Sequence, residues 1–153
     1  MLSQNNLKII KKTTEEFFKK AGFEVTIEFL SPIDQTFPIN VKTDEPQILI
    51  GEKGQTLAEL QHLLKAILKR KIEEPFFLDL DINNYKKKKN EYLKELARSV
   101  ADEVALTKRE KILSPMPAYE RRIIHLELAE RKDIITESVG QEPERKVVIK
   151  PCL

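Results

Sequence analysis

Ile48-Leu-Ile-Gly51-Glu-Lys-Gly54-Gln-Thr56 is followed by Leu57, Leu60, Leu64 and Ile67 at helical spacing, so a Gly-x-x-Gly loop opens an amphipathic helix. Glycine carries no side chain, and backbone at Gly51 and Gly54 therefore lets a phosphodiester approach closely. Free amides and the positive end of the following helix would attract its charge. Lys53 adds a cation to the loop, whereas Glu52 sets a carboxylate inside it and predicts modest affinity. Taken alone, the same residues also read as a plain turn and helix start. The flanking sequence decides between the two.

Upstream, Leu7, Ile10, Phe17 and Ala21, with Ile9 and Phe18 beside them, recur with the period of a helix over residues 6–21, and Gly22 stands where a left-handed cap would end it. Phe23, Val25, Ile27 and Phe29 alternate with Glu24, Thr26 and Glu28, the pattern of a half-buried strand. After a turn at residues 31–36, Phe37, Ile39 and Val41 alternate again and predict an antiparallel neighbour. Downstream of the loop, Phe76, Leu78, Leu80 and Ile82 alternate with Asp79 and Asp81 and supply a third strand. The pattern is α+β, a three-stranded sheet whose common face needs helices to cover it.

A second periodic run begins at Asn83-Asn-Tyr-Lys-Lys-Lys-Lys-Asn90 and continues through Leu93, Leu96, Val100 and Val104, predicting one helix over residues 84–107. No Gly, Ser or Pro linker separates the halves, so a fairly rigid junction is expected. Lys86, Lys87, Lys88 and Lys89 fall in the first turn of that helix, where they oppose its dipole. Two readings stand for them, a solvated charge run and a track for a nucleic-acid strand. Lys111 to Leu113 reads as a short strand, and Pro117 fixes the entry to Ala-Tyr-Glu-Arg-Arg-Ile-Ile-His125. Arg121 and His125 are four positions apart and share one helix face, two donors suited to an anionic oxygen. Tyr119, Ile123, Leu126 and Glu130 are read as one side of this helix with Ile124 and Leu128 beside them, leaving Arg121, Arg122 and His125 near the solvent boundary. Arg122 has an alternative partner in Glu120, and Arg145 is either aimed at the same anion or held in a surface ion pair. Residues 134–138 and 145–150 alternate around a turn at Gly140 and Pro143, a closing strand pair.

Composition narrows the options. With 153 residues, 41% hydrophobic and 34% charged, the chain holds one or two folded domains, and neither long disorder nor a large multidomain enzyme fits. The formal charge of +2 means that a polyanion must be met by locally gathered cations. Cys152 is the one cysteine, which leaves no intrachain disulfide and no cysteine metal cluster and suits a reducing cytoplasm. No apolar run approaches the roughly 20 residues of a membrane span, and the N-terminal stretch lacks a signal-peptide core. There is no Gly-x-x-x-x-Gly-Lys loop, no metal-ligand spacing and no nucleophile with an evident histidine partner, so no enzyme, catalytic residue, metal or cofactor is expected. His62 is left without a role.

Leu49-Ile-Gly-Glu-Lys-Gly-Gln-Thr-Leu57, after a helix and two strands, resembles the loop of a KH domain in its bacterial order. Pro115-Met-Pro-Ala-Tyr-Glu-Arg-Arg-Ile-Ile-His125, with Thr136-Glu-Ser-Val-Gly140 and Arg145-Lys-Val-Val-Ile149, resembles the small α/β domain named for its Arg-x-x-x-His motif, the R-three-H domain. Joined directly, as residues 1–83 and 84–153, the two resemble the bacterial Jag family, also called KhpB or SpoIIIJ-associated proteins, from about Phe23 onward. The resemblance implies a cytoplasmic protein that binds single-stranded RNA, with single-stranded DNA also open. It further implies a post-transcriptional regulator linked to cell elongation and division, working with a small separate KH-domain protein of the KhpA kind. Many members carry a further small N-terminal domain and linker. This sequence shows only a helix before its first strand, so an insertase-linked role resting on that domain falls outside the expectation. The expected nucleic-acid contacts are Gly51, Glu52, Lys53, Gly54, the four lysines, Arg121, Arg122, His125 and Arg145, with Arg121 as a charged fork on phosphate. The alternative is an adaptor that uses both folds as scaffold for a protein partner, its binding indifferent to salt.

Overall fold

Ser3 accepts a hydrogen bond from the Asn6 amide at 3.2 Å and so starts α1 (Gln4–Lys20). The same helix ends where Gly22 turns left-handed, φ 84°, with Gly22 N–H donating to Lys19 and Phe23 N–H to Phe18, both at 3.1 Å. That pair of bonds satisfies the last carbonyls, and the glycine makes it inexpensive. The computed structural model describes residues 3–152 and divides them into two units, one ending at Lys86 and the other beginning at Lys87.

In the first unit β1 (Thr26–Phe29) runs antiparallel to β2 (Thr36–Lys42), with Ile27 opposite Val41. The alternation begins before the pairing does, since Phe23 and Val25 pack on the core ahead of Thr26, the first paired residue. β2 then leads into α2 (Pro46–Ile50), a single 3₁₀ turn (Glu52–Gly54) and α3 (Gln55–Lys69). β3 (Phe77–Ile82) returns parallel to β2, Leu80 opposite Ile39, giving the sheet order β1-β2-β3. Ile39, Val41, Leu80 and Ile82 are fully enclosed with Ile10, Phe18 and Leu64 from the helices. Each such side chain contributes about 1.5–3 kcal/mol relative to exposure. This is a KH-like sheet with its helices.

The turn after β3 is tied back to β2. Asn83 and Asn84 both take left-handed backbone, φ 49° and 57°, which asparagine tolerates better than most residues. Asn83 Oδ1 accepts from Thr43 N–H at 3.0 Å while its Nδ2 donates to Thr43 O at 2.9 Å, and the Asn84 amide donates to the buried Asn40 Oδ1 at 3.1 Å. These bonds fasten the start of α4 (Tyr85–Thr107) to the end of β2.

The second unit is a small α/β fold. Leu93, Ala97, Ala101 and Val104 form the buried face of α4. β4 (Lys111–Ile112), β5 (Ile134–Val139) and β6 (Lys146–Pro151) form an antiparallel sheet in the order β4-β6-β5. α5 (Ala118–Leu128) enters after Pro117 and packs Ile124 and Leu128 into the core with Val147 and Ile149. The expected face of α5 is corrected in part: Ile124 and Leu128 go inward, but the rest of the face is shifted around the helix. Glu120, Arg121, Ile124 and Leu128 are buried, whereas Tyr119 and Leu126 are exposed at 55% and 64%.

Candidate nucleic-acid interface

Gly51 holds φ 72° with ψ −175°, a region open essentially to glycine, and a Cβ there would stand 2.1 Å from Thr56 Oγ1. Gly54 holds φ 79°, and a Cβ there would reach within 3.0 Å of the Tyr85 ring. Both glycines are therefore required by the fold itself. Between them Lys53 is also left-handed, φ 54°, and the side chains of Glu52 and Lys53 are exposed. Gly54 is the N-cap of α3, and no side chain caps that end, which leaves the positive pole of a 15-residue helix behind the loop.

The lysine run divides. Lys86 Nζ donates to Gln61 Oε1 at 2.8 Å and Asp79 Oδ1 at 3.0 Å, and Gln61 Oε1 also accepts from the Leu80 amide of β3 at 2.9 Å. The Lys86 amide donates to the Asp81 carboxylate at 3.0 Å. Asp81 thus sets a negative charge at the first turn of α4 and offsets the unfavourable lysine placement. Lys87 and Lys88 are exposed, and Lys89 lies 5.7 Å from the centre of the Tyr92 ring, a cation–π distance.

Arg121 is where the expectation of a solvent-boundary residue fails. Its side chain is only 9% exposed. Its Nε donates to Met116 O at 3.1 Å, and Nη2 is paired with Glu142 in the turn between β5 and β6. A guanidinium survives burial only with such partners, and here they tie the entry of α5 to that turn. Arg145 is drawn to the same turn, donating from Nη1 to Gly140 O at 2.6 Å. His125 is half-buried, with Nδ1 2.8 Å from Thr136 Oγ1 and Nε2 2.8 Å from Ser138 Oγ. A neutral imidazole gives one nitrogen as donor and one as acceptor, and two hydroxyls match either tautomer. Burial, then the charge of Arg121, holds the His125 pKa below its ordinary value of 6.5, so the ring is neutral at neutral pH. Arg122 is exposed and has no hydrogen-bond or ion-pair partner among the described residues, so pairing with Glu120 is not observed.

Gly51 to Gly54 and Lys86 lie in the first unit, and Lys87 to Lys89, Arg121, Arg122, His125 and Arg145 in the second. The sequence puts Tyr85 on the apolar side of α4 but not against Gly54, and it gives no role to Thr136, Ser138 and Glu142. The two hydroxyls had a legible signal: they stand two apart on a strand and so point to one side. Glu142, 21 residues from Arg121, had none.

These two units define the class, a KH-like module and an Arg-x-x-x-His module in one chain. A family model for the R-three-H domain matches residues 91–151. The RNA-binding protein KhpB of Clostridium symbiosum is 38% identical over 126 residues, covering 82% of this chain and 56% of that protein. Its namesake from Lactiplantibacillus plantarum is 36% identical over 111 residues, 72% of this chain and 34% of the relative. The Bacillus subtilis protein of the same name is 36% identical over 117 residues, with shares of 75% and 56%. The chain belongs to the KhpB family. It spans a third to a little over half the length of these relatives. Among the described residues no helix is long and apolar enough to cross a membrane.

Proposed function

We propose that the protein is a non-catalytic binder of single-stranded RNA that acts in the cytoplasm as a post-transcriptional regulator. The observation that carries this reading is the Gly51–Gly54 turn: strained backbone, exposed Glu52 and Lys53, and an uncapped helix end behind it. Such a surface holds a phosphodiester by position and charge rather than by base identity. The names of the relatives, RNA-binding proteins, point the same way. Lys87 and Lys88 add exposed cations, and Arg122 adds one in the second unit. Arg121 and His125 serve this reading from inside, by fixing α5, rather than as free donors. A link to elongation and division and a small KH-domain partner rest on the family resemblance alone.

Titration of a labelled single-stranded RNA at increasing salt tests the reading. The log of the binding constant should fall linearly with log salt, by about 0.7 per phosphate contact for a single strand. Duplex RNA should bind more weakly. Binding indifferent to salt, or none, overturns the proposal and favours the adaptor role.

A further inference from the structure

Apart from the buried ridge that seats it, α5 carries on its other side a stripe of three exposed residues. Tyr119, Arg122 and Leu126 stand at i, i+3 and i+7, one above another on the helix. Tyr119 and Leu126 are more than half exposed, and Arg122 is exposed between them without a partner among the described residues. The Tyr119 hydroxyl donates to Glu120 Oε1 at 3.3 Å, which restrains the ring. His125, neutral and fixed by its two hydroxyl contacts, borders the stripe.

Charge decides what such a stripe receives. Both carboxylates of α5 lie off it, since Glu120 is buried and Glu127 is paired with Arg98. The stripe therefore offers apolar surface above and below a bare guanidinium, and the acid that follows in its line, exposed Glu130, stands beyond the end of the helix. An apolar protein face docked there would strand the Arg122 charge. A single strand of nucleic acid supplies both complements at once, flat bases for the ring and the leucine and a phosphate for the guanidinium. Resting on the RNA-binding reading, we infer that the Tyr119–Arg122–Leu126 stripe is the base-stacking platform of the second unit. Arg122, rather than Arg121, meets the backbone phosphate there. Stacking tolerates any base, so the platform confers strand preference without sequence preference.

An oligouridylate and an abasic ribose-phosphate oligomer of equal length, titrated against the whole chain, test this. The parent should prefer the base-bearing strand. Tyr119→Ala should weaken uridylate binding about tenfold, the scale of one stacked base, and weaken the abasic oligomer far less. Tyr119→Phe should restore most of the loss, and Leu126→Ser, at a more exposed position, should repeat it more weakly. Arg122→Ala should weaken both oligomers and make the salt slope shallower by about 0.7. Tyr119→Ala and Leu126→Ser that bind uridylate as the parent does overturn the platform while RNA binding stands. A parent that binds neither oligomer overturns the RNA-binding reading and the platform with it. Self-association of the parent that Leu126→Ser abolishes makes the stripe a protein interface and equally overturns the inference.

Discussion

The glycine loop of the first unit and the Arg-x-x-x-His helix of the second solve one problem in opposite ways. In the loop the residues that define the motif, Gly51 and Gly54, are required by backbone conformation and close approach, and what lies between them faces solvent. In the helix the defining Arg121 and His125 turn inward, onto Met116 and Glu142 and onto Thr136 and Ser138, and their neighbour Arg122 faces solvent. In both, the signature builds a frame and an adjacent cation is left exposed. A motif is thus a guide to where a surface is held rigid, and exposure decides which side chain touches what is bound.

The largest expected effect comes from the loop. Gly51→Ala must place a Cβ against Thr56 in a backbone region closed to alanine, strain of about 1–3 kcal/mol with overpacking of about 1–3 kcal/mol beside it. Urea unfolding should therefore show a loss of at least about 2 kcal/mol. A change under about 0.5 kcal/mol, the scale of an ordinary surface substitution, would remove the loop's glycine from the frame and break the comparison.

Next is Arg121. Its replacement by alanine leaves the Met116 carbonyl without its donor and opens a gap under α5, at a cost of about 1–3 kcal/mol. Arg122→Ala should stay within about 0.5 kcal/mol. Thermal melting of the two variants side by side sharpens the inward–outward distinction, and equal melting temperatures would abolish it. A frame role for Arg121 also means that its folded variant keeps much of the salt dependence that Arg122→Ala loses.

Replacing Glu52 and Lys53 together with aspartate should leave the fold intact while weakening single-stranded RNA binding about fivefold, the equivalent of one exposed ion pair of ~1 kcal/mol. Unchanged affinity in a folded double variant would leave the loop as scaffold alone.

The smallest effect is the pH dependence of His125. Its folded-state pKa lies below 6.5 because burial and then Arg121 disfavour the imidazolium, so the unfolded chain binds the proton more readily. The histidine's contribution to stability is present above pH 6.5 and is lost as the pH falls below that value toward the folded pKa. Denaturant titrations from neutral to mildly acidic pH should show this loss, reduced in His125→Gln. A variant with an undiminished slope would place the proton uptake elsewhere.

The sequence by itself determined the order of elements, because each rests on short-range periodicity. The strand alternations at Ile27–Phe29, Phe37–Val41 and Leu78–Ile82, the cap at Gly22 and the turn at Gly140 are all local signals. The glycine loop was legible for the same reason, since φ beyond the reach of other residues leaves its mark in the residue type. The face of α5 was not legible. Tyr119, Ile123, Ile124, Leu126 and Leu128 spread apolar character around most of its circumference, so the helical period cannot choose a buried side. Packing against β5 and β6 chose Ile124 and Leu128, and Arg121 went in with them because Met116 and Glu142 were there to receive its guanidinium. A buried charge is set by partners distant in sequence, and only the tertiary structure brings them within reach.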